Sequence, residues 1–156
     1  MVTLTPMTED DFAAYMDYAI TNYASEKVTT GSWPATGAEA RAVSTFKELL
    51  PQGISTADQH LLTIIDGTTD TKVGFIWFGV TDLGNGPVAY IYDFVIFEEW
   101  RRRGFGGGAL RALENRVRSM GLNIISLHVF GHNKVARALY DSIGYTASDV
   151  TMTKIL

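Results

Sequence analysis

The 156 residues, 46% hydrophobic and 19% charged, are enough to bury the core of one globular domain and too apolar for a disordered chain. With no cysteine there is no disulfide framework, no thiolate nucleophile and no cysteine-ligated zinc, and His60, His128 and His132 lack the spacing of a metal motif, so no metal is expected. The net charge of −4 is unevenly spread: residues 1–100 hold 4 Lys and Arg against 14 Asp and Glu, residues 101–137 hold 8 against the single acid Glu114, and two differently charged clients are expected.

No apolar run reaches the roughly 18 residues of a membrane span, and the N-terminal stretch has no signal-peptide pattern, so a cytoplasmic protein without membrane contact is expected. Residues 2–7 read as a short strand. A helix follows over "TEDDFAAYMDYAITNYASEK", with Thr8 as N-cap, acids in the first turn, and Phe12, Tyr15, Met16, Ala19 and Tyr23 at helical spacing. After a loop punctuated by Gly31, Pro34 and Gly37, a second helix covers Ala38 to Leu50 and stops at Pro51-Gln52-Gly53.

The period then changes. "HLLTIID" and "KVGFIWFGV" read as two strands joined by a polar turn, and "VAYIYDFVIF", residues 88–97, as a central strand whose one charge is Asp93. A glycine-rich stretch opens a helix running to about Met120, with Leu110, Leu113, Val117 and Met120 as its apolar stripe and Gly121 as its stop. "NIISLHVF" is a buried strand, Asn133 caps a helix to Ile143, and one or more strands complete residues 145–156.

The stretch "RRRGFGGGAL", residues 101–110, carries the chemistry. Glycines within a helix's first turn each cost up to about 1 kcal/mol relative to alanine. In return they let backbone N–H groups at a positive helix end approach a phosphate. The P-loop pattern fails, because Ala109-Leu110 stands where Lys-Ser/Thr is needed. The dinucleotide pattern is met by Gly104, Gly106 and Ala109, but Ile124 to His128 offers no acid for a ribose.

A third pattern, Arg/Gln-x-x-Gly-x-Gly/Ala after a central strand, is met by Arg101-Arg102-Arg103-Gly104-Phe105-Gly106. In "YDFVIFEEWRRRGFGGGAL" and in "LHVFGHNKVARALYDSIGY" the chain resembles the GNAT superfamily of acyl-CoA N-acyltransferases, with the element order matching over nearly all of residues 1–156 as one domain. The resemblance implies an α/β fold: a mixed, mostly antiparallel sheet of about six or seven strands, flanked by about four helices and splayed between its two central strands.

It also implies acetyl-CoA as co-substrate. Backbone amides of about Arg102 to Gly107 would hold its pyrophosphate, with Arg101, Arg102 and Arg103 supplying charge around it. Backbone groups of Phe94, Val95 and Ile96 would bind its pantetheine arm, and Asn133 would contact the cofactor. Tyr140 matches a tyrosine that protonates the departing thiolate; as a bare sequence position it reads equally as a core tyrosine, and Asn133 as a helix cap. The superfamily's strand glutamate is replaced here by Tyr90 or Tyr92. Asp93 is then the candidate base, or else a buried partner for an arginine or for His128, itself a second candidate. A backbone N–H near Val95 would steady the oxyanion.

Acetyl transfer to a primary amine by direct attack is the implied activity; a non-catalytic acyl-CoA-binding or sensing domain is the alternative. The N-terminal helices carry Tyr15, Tyr18, Tyr23 and Trp33 beside Glu9, Asp10, Asp11, Asp17 and Glu26. Such a surface favours a cationic small-molecule or peptide acceptor, although most of these residues read more simply as helix packing and as helix-start and surface acids. The acidic remainder of the chain argues against nucleic acid. Homodimers are common among similar proteins, but the sequence carries no interface signal.

Overall fold

In the computed structural model, which describes residues 1–156, strand β1 (Val2–Pro6) passes into helix α1 (Glu9–Thr29) through a closed capping box. The Thr8 hydroxyl accepts the Asp11 N–H at 3.1 Å, and the Asp11 carboxylate accepts the Thr8 N–H at 3.4 Å. The same carboxylate takes Lys72 Nζ at 2.7 Å and the Thr63 hydroxyl at 3.2 Å, which pins the start of α1 to the sheet. Burial pushes the Asp11 pKa up, but Lys72 and the hydrogen bonds from Thr8 and Thr63 outweigh it and leave it below the usual carboxylate value.

Helix α2 (Ala38–Leu49) follows, then the meander of β2 (Gln59–Asp66), β3 (Thr71–Asp82) and β4 (Pro87–Ile96). Helix α3 (Phe105–Ser119) leads to β5 (Ile125–Leu127), and α4 (Lys134–Ser142) is the last regular element. The sheet order is β1-β2-β3-β4-β5, with antiparallel pairing throughout except for β5, which runs parallel to β4. A parallel neighbour requires a crossover, and α3 provides it.

Side-chain alternation divides the core between the two faces. Leu62, Ile64, Ile76, Phe78 and Ile91 meet Ala109, Leu110, Leu113 and Val117 of α3 on one face. Leu61, Phe75 and Trp77 meet Tyr15, Ala19 and Phe46 of α1 and α2 on the other. The four expected helices are present, each within a few residues of its expected bounds.

The strand count is corrected: the sheet has five strands, not six or seven. The strand expected over "NIISLHVF" forms a ladder only over Ile125–Leu127, and residues 145–156 form no strand. That tail presents no one-sided apolar face. Val150 and Met152 alternate in step with Lys154, Ile155 falls on the opposite parity, and all three of these apolar side chains are exposed.

One irregularity in β4 organises the site. Trp77 of β3 pairs with Asp93 and the next residue, Phe78, pairs with Ile91, so Tyr92 is an extra, bulged residue. The ladder to β5 covers only Ala89, Tyr90 and Ile91 and stops where the bulge begins. Beyond it β4 and β5 part, and residues 92–96 of β4 have a free edge.

Candidate active site

The first turn of α3 is open to an anion. Its N-cap, Gly104, is left-handed (φ 85°) and offers no side-chain cap, unlike Thr8 of α1 and Asn133 of α4. The first intrahelical bond is Gly108 N–H to the Gly104 carbonyl at 3.1 Å, so the N–H groups of Phe105, Gly106 and Gly107 have no backbone acceptor. They concentrate the positive end of the helix dipole. Arg102 is also left-handed (φ 62°), a conformation costing a non-glycine residue about 1 kcal/mol.

Two of the glycines are required by contact. A Cβ on Gly106 would lie 3.0 Å from Leu139 of α4 and 3.8 Å from the Phe94 ring, so α3, α4 and β4 converge at this turn. A Cβ on Gly108 would come within 2.7 Å of Val2 Cγ2 in β1. The three arginines separate in direction. Arg101 donates Nε–H to the Ile96 carbonyl at 3.0 Å, and its charge reaches Tyr18 on α1. Arg103 stacks over Trp100 at 5.0 Å, and Arg102 is exposed.

The free edge of β4 can be read from the ladder. Phe97 donates to the Val73 carbonyl on β3, and antiparallel bonding alternates, so the N–H and C=O of Val95 also turn to β3. The Val95 backbone, expected to bind the cofactor arm and steady an oxyanion, faces β3 by this alternation and not the gap. The backbone groups of Phe94 and Ile96 turn to the open side. Two of them are engaged: Phe94 N–H donates to Asp93 Oδ1 at 2.9 Å, and the Ile96 carbonyl accepts from Arg101. The Phe94 carbonyl and the Ile96 N–H remain.

Asp93 lies at the mouth of this gap, partly exposed yet largely surrounded by protein. Its partner is neither an arginine nor His128, but the hydroxyl of Tyr15, which donates to Oδ2 at 2.8 Å. Burial raises the Asp93 pKa above the usual carboxylate value, opposed by the Tyr15 and Phe94 hydrogen bonds. His128 instead makes an edge contact with Phe130, ring centres 5.3 Å apart.

Asn133 caps α4, its Oδ1 accepting the Ala136 N–H at 3.1 Å, so the cap reading is the observed one. Tyr140, next to Leu139, packs against Tyr145 with ring centres 5.5 Å apart. Burial first, and the Asp93 charge second, push the Tyr140 pKa up to about 12. Its hydroxyl is therefore protonated at neutral pH and near enough to Asp93 to respond to its charge.

On the acceptor side, several residues are already occupied. Tyr23 and Trp33 pack edge to face and hold a cation of the chain's own, with Lys27 Nζ 5.5 and 5.9 Å from their ring centres. Asp11 belongs to the capping box. Glu26 faces His132, Oε2 to Nε2 at 3.3 Å, which ties the loop before α4 to α1. Tyr18 stays 42% exposed, and burial together with the Asp93 charge raises its pKa. The sequence reading missed the role of Tyr15. Its signal was a tyrosine on an apolar helix stripe, where a buried hydroxyl requires a partner.

No three-residue cluster of His, Cys, Asp or Glu in the chain could hold a metal ion, and no helix is long and apolar enough to cross a membrane. The sequence model of the "Acetyltransferase (GNAT) family" matches residues 23–145. The N-acetyltransferase YycN of Bacillus subtilis (strain 168), described as uncharacterised, is 39% identical over 155 residues, 99% of each chain. Its crystal structure superposes with a TM-score of 0.92 at 38% identity, covering 100% of this chain and 99% of that one. YdgE of the same organism, another uncharacterised N-acetyltransferase, is 30% identical over 154 residues, 99% of this chain and 98% of its own. At the level of fold alone, AAC(6')-Iy, solved in complex with the bisubstrate analogue CoA-S-monomethyl-acetylneamine, superposes at a TM-score of 0.64 with 12% identity, covering 100% of this chain and 98% of that one. The glycine turn, the parted strands β4 and β5 and the α4 tyrosine all fall within the matched residues, and the chain belongs to the GNAT family of acetyltransferases.

Proposed function

We propose that this protein transfers an acetyl group from acetyl-CoA to a primary amine by direct attack, with Asp93 as base and Tyr140 as acid. The observation that carries the reading is the convergence of three elements. The uncapped first turn of α3, the free edge of β4 beyond its bulge and the Leu139-Tyr140 pair of α4 meet around Gly106 and Phe94. The fit to the co-substrate rests on open donors: the Phe105, Gly106 and Gly107 amides suit a pyrophosphate, and the Phe94 carbonyl and Ile96 N–H suit an amide-bearing arm.

When bound, acetyl-CoA supplies the acetyl group as a thioester. Asp93 takes the amine proton on a carboxylate oxygen, and Tyr140, protonated at neutral pH, holds the proton that the departing sulfur needs. With the Phe94 N–H held by Asp93, the Ile96 N–H is the donor left on the open edge of β4 to face the carbonyl oxygen. The absence of cysteine agrees with direct transfer. With Tyr23 and Trp33 holding Lys27, Asp17 and Tyr18 are left along α1 toward the Asp93 mouth, and Glu9 and Asp10 stay exposed at the start of that helix.

Coenzyme A release, followed over a panel of primary amines, tests the reading. Asp93→Asn is expected to lower kcat/KM by about 100-fold or more while acetyl-CoA affinity stays unchanged. Binding without turnover on any amine identifies the chain instead as an acyl-CoA-binding or sensing domain.

A further inference from the structure

We propose that Tyr15, on α1, is a positioning residue for acyl transfer: its hydroxyl, donated to Asp93 Oδ2 at 2.8 Å, fixes the carboxylate in the mouth between β4 and β5 and holds it as the anion. The inference rests on the reading of Asp93 as base. The two residues are 78 apart in sequence, and Tyr15 is completely buried. Its ring packs edge-on against Phe75, centres 5.6 Å apart.

The carboxylate needs such a donor because no cation serves it. The groups bearing on Asp93 are Tyr15 and Tyr18 from α1, Tyr140 from α4 and the amide of Phe94 in β4 itself. Arg101 is drawn away to the Ile96 carbonyl and is felt at Tyr18. Desolvation therefore works against the anion, and two neutral donors oppose it, one on each oxygen. Each carboxylate oxygen keeps a second lone pair, so a proton can still be accepted while both bonds persist. Tyr15 does not itself lose its proton, since burial and then the Asp93 charge raise its pKa well above that of a free phenol.

The consequence is a defined change in pH response. Removing the hydroxyl leaves Phe94 N–H as the lone donor, so the Asp93 pKa rises and the active, ionised base appears only at higher pH. The test is Tyr15→Phe, which keeps the ring, read in two ways. In the free protein, the Asp93 side-chain carboxyl carbon followed by NMR against pH is expected to titrate about 1 unit higher than in the wild type. In the assay, the acid limb of kcat/KM is expected to move up by the same amount, with the KM for acetyl-CoA unchanged. Phe75→Leu is the packing control: it removes the ring contact, lowers the melting temperature and leaves the Asp93 titration in place. An Asp93 titration unmoved by Tyr15→Phe, or moved equally by Phe75→Leu, overturns the proposal. A moved titration with full activity in Asp93→Asn would instead show that the hydrogen bond is real and that Asp93 is not the base.

Discussion

Tyr140 and Asp93 are two titratable groups whose surroundings drive both pKa values upward from burial, with opposite usefulness. For the tyrosine, a value of about 12 keeps the proton in place, as the proposed role of acid requires. For the aspartate, the rise threatens the ionised form that a base needs, which is why its hydrogen-bond donors matter. Tyr140→Phe should lower kcat by about 100-fold, with acetyl-CoA binding retained, because the proton for the leaving sulfur must then come from water. Stopped-flow detection of free thiol checks this. The alkaline side of the wild-type profile should show no loss from Tyr140 up to about pH 10, since a group titrating near 12 remains protonated there.

At the scale of elements, the bulge at Tyr92 and the glycine turn do complementary work. The bulge ends the β4–β5 ladder at Ile91 and exposes a strand edge, and the turn places an uncapped helix end beside it. The glycines are there for different reasons: Gly104 for its left-handed backbone, Gly106 for the approach of α4, Gly108 for the approach of β1. Gly108→Ala is therefore expected to destabilise the fold by about 1–3 kcal/mol through overpacking against Val2, with catalysis per folded molecule preserved. Adding Val2→Ala should recover much of that loss, because it removes the Cγ2 atom that the new Cβ would meet. Chemical denaturation of the single and double variants measures the coupling. Additive losses would place the strain elsewhere.

Much of this was legible in the residues because it depends on local pattern. Thr8 and Asn133 announce caps, Gly121 and Gly144 announce stops, and the change of period after His60 announces the meander. What could not be read depends on register and long-range packing. The reversal of bonding direction from one residue to the next decides that Val95 faces β3 while Phe94 and Ile96 face the gap. The partner of Asp93 comes from a helix 78 positions away, and the aromatic pair offered to a cationic acceptor turns out to hold Lys27. The strands expected after Gly144 failed for a related reason, since strand-like residues form a ladder only where a partner edge meets a consistent apolar face.

Across the whole molecule, the charge division has a functional consequence. Arg101, Arg102 and Arg103 immediately precede the open helix end and Arg116 and Arg118 lie in the last turn of α3, whereas the acids lie mainly before residue 100 and serve caps, turns and the Asp93 mouth. The proposed anionic co-substrate would be steered toward the arginines, and that attraction would be screened by salt. Acetyl-CoA affinity should fall roughly fivefold between about 0.05 and 0.5 M salt, whereas Tyr15→Phe should leave that dependence unaltered.

The measurement to make first is a calorimetric titration of the purified protein with acetyl-CoA, repeated on Gly106→Asp. A carboxylate placed there would face the amides of Phe105 to Gly107 and press on Leu139. Micromolar binding by the wild type, lost in a Gly106→Asp variant that still melts cooperatively, is the predicted result. No binding by the wild type, or equal binding by the variant, would contradict the assignment of the α3 turn as the phosphate cradle and of the adjoining gap as the site of acetyl transfer.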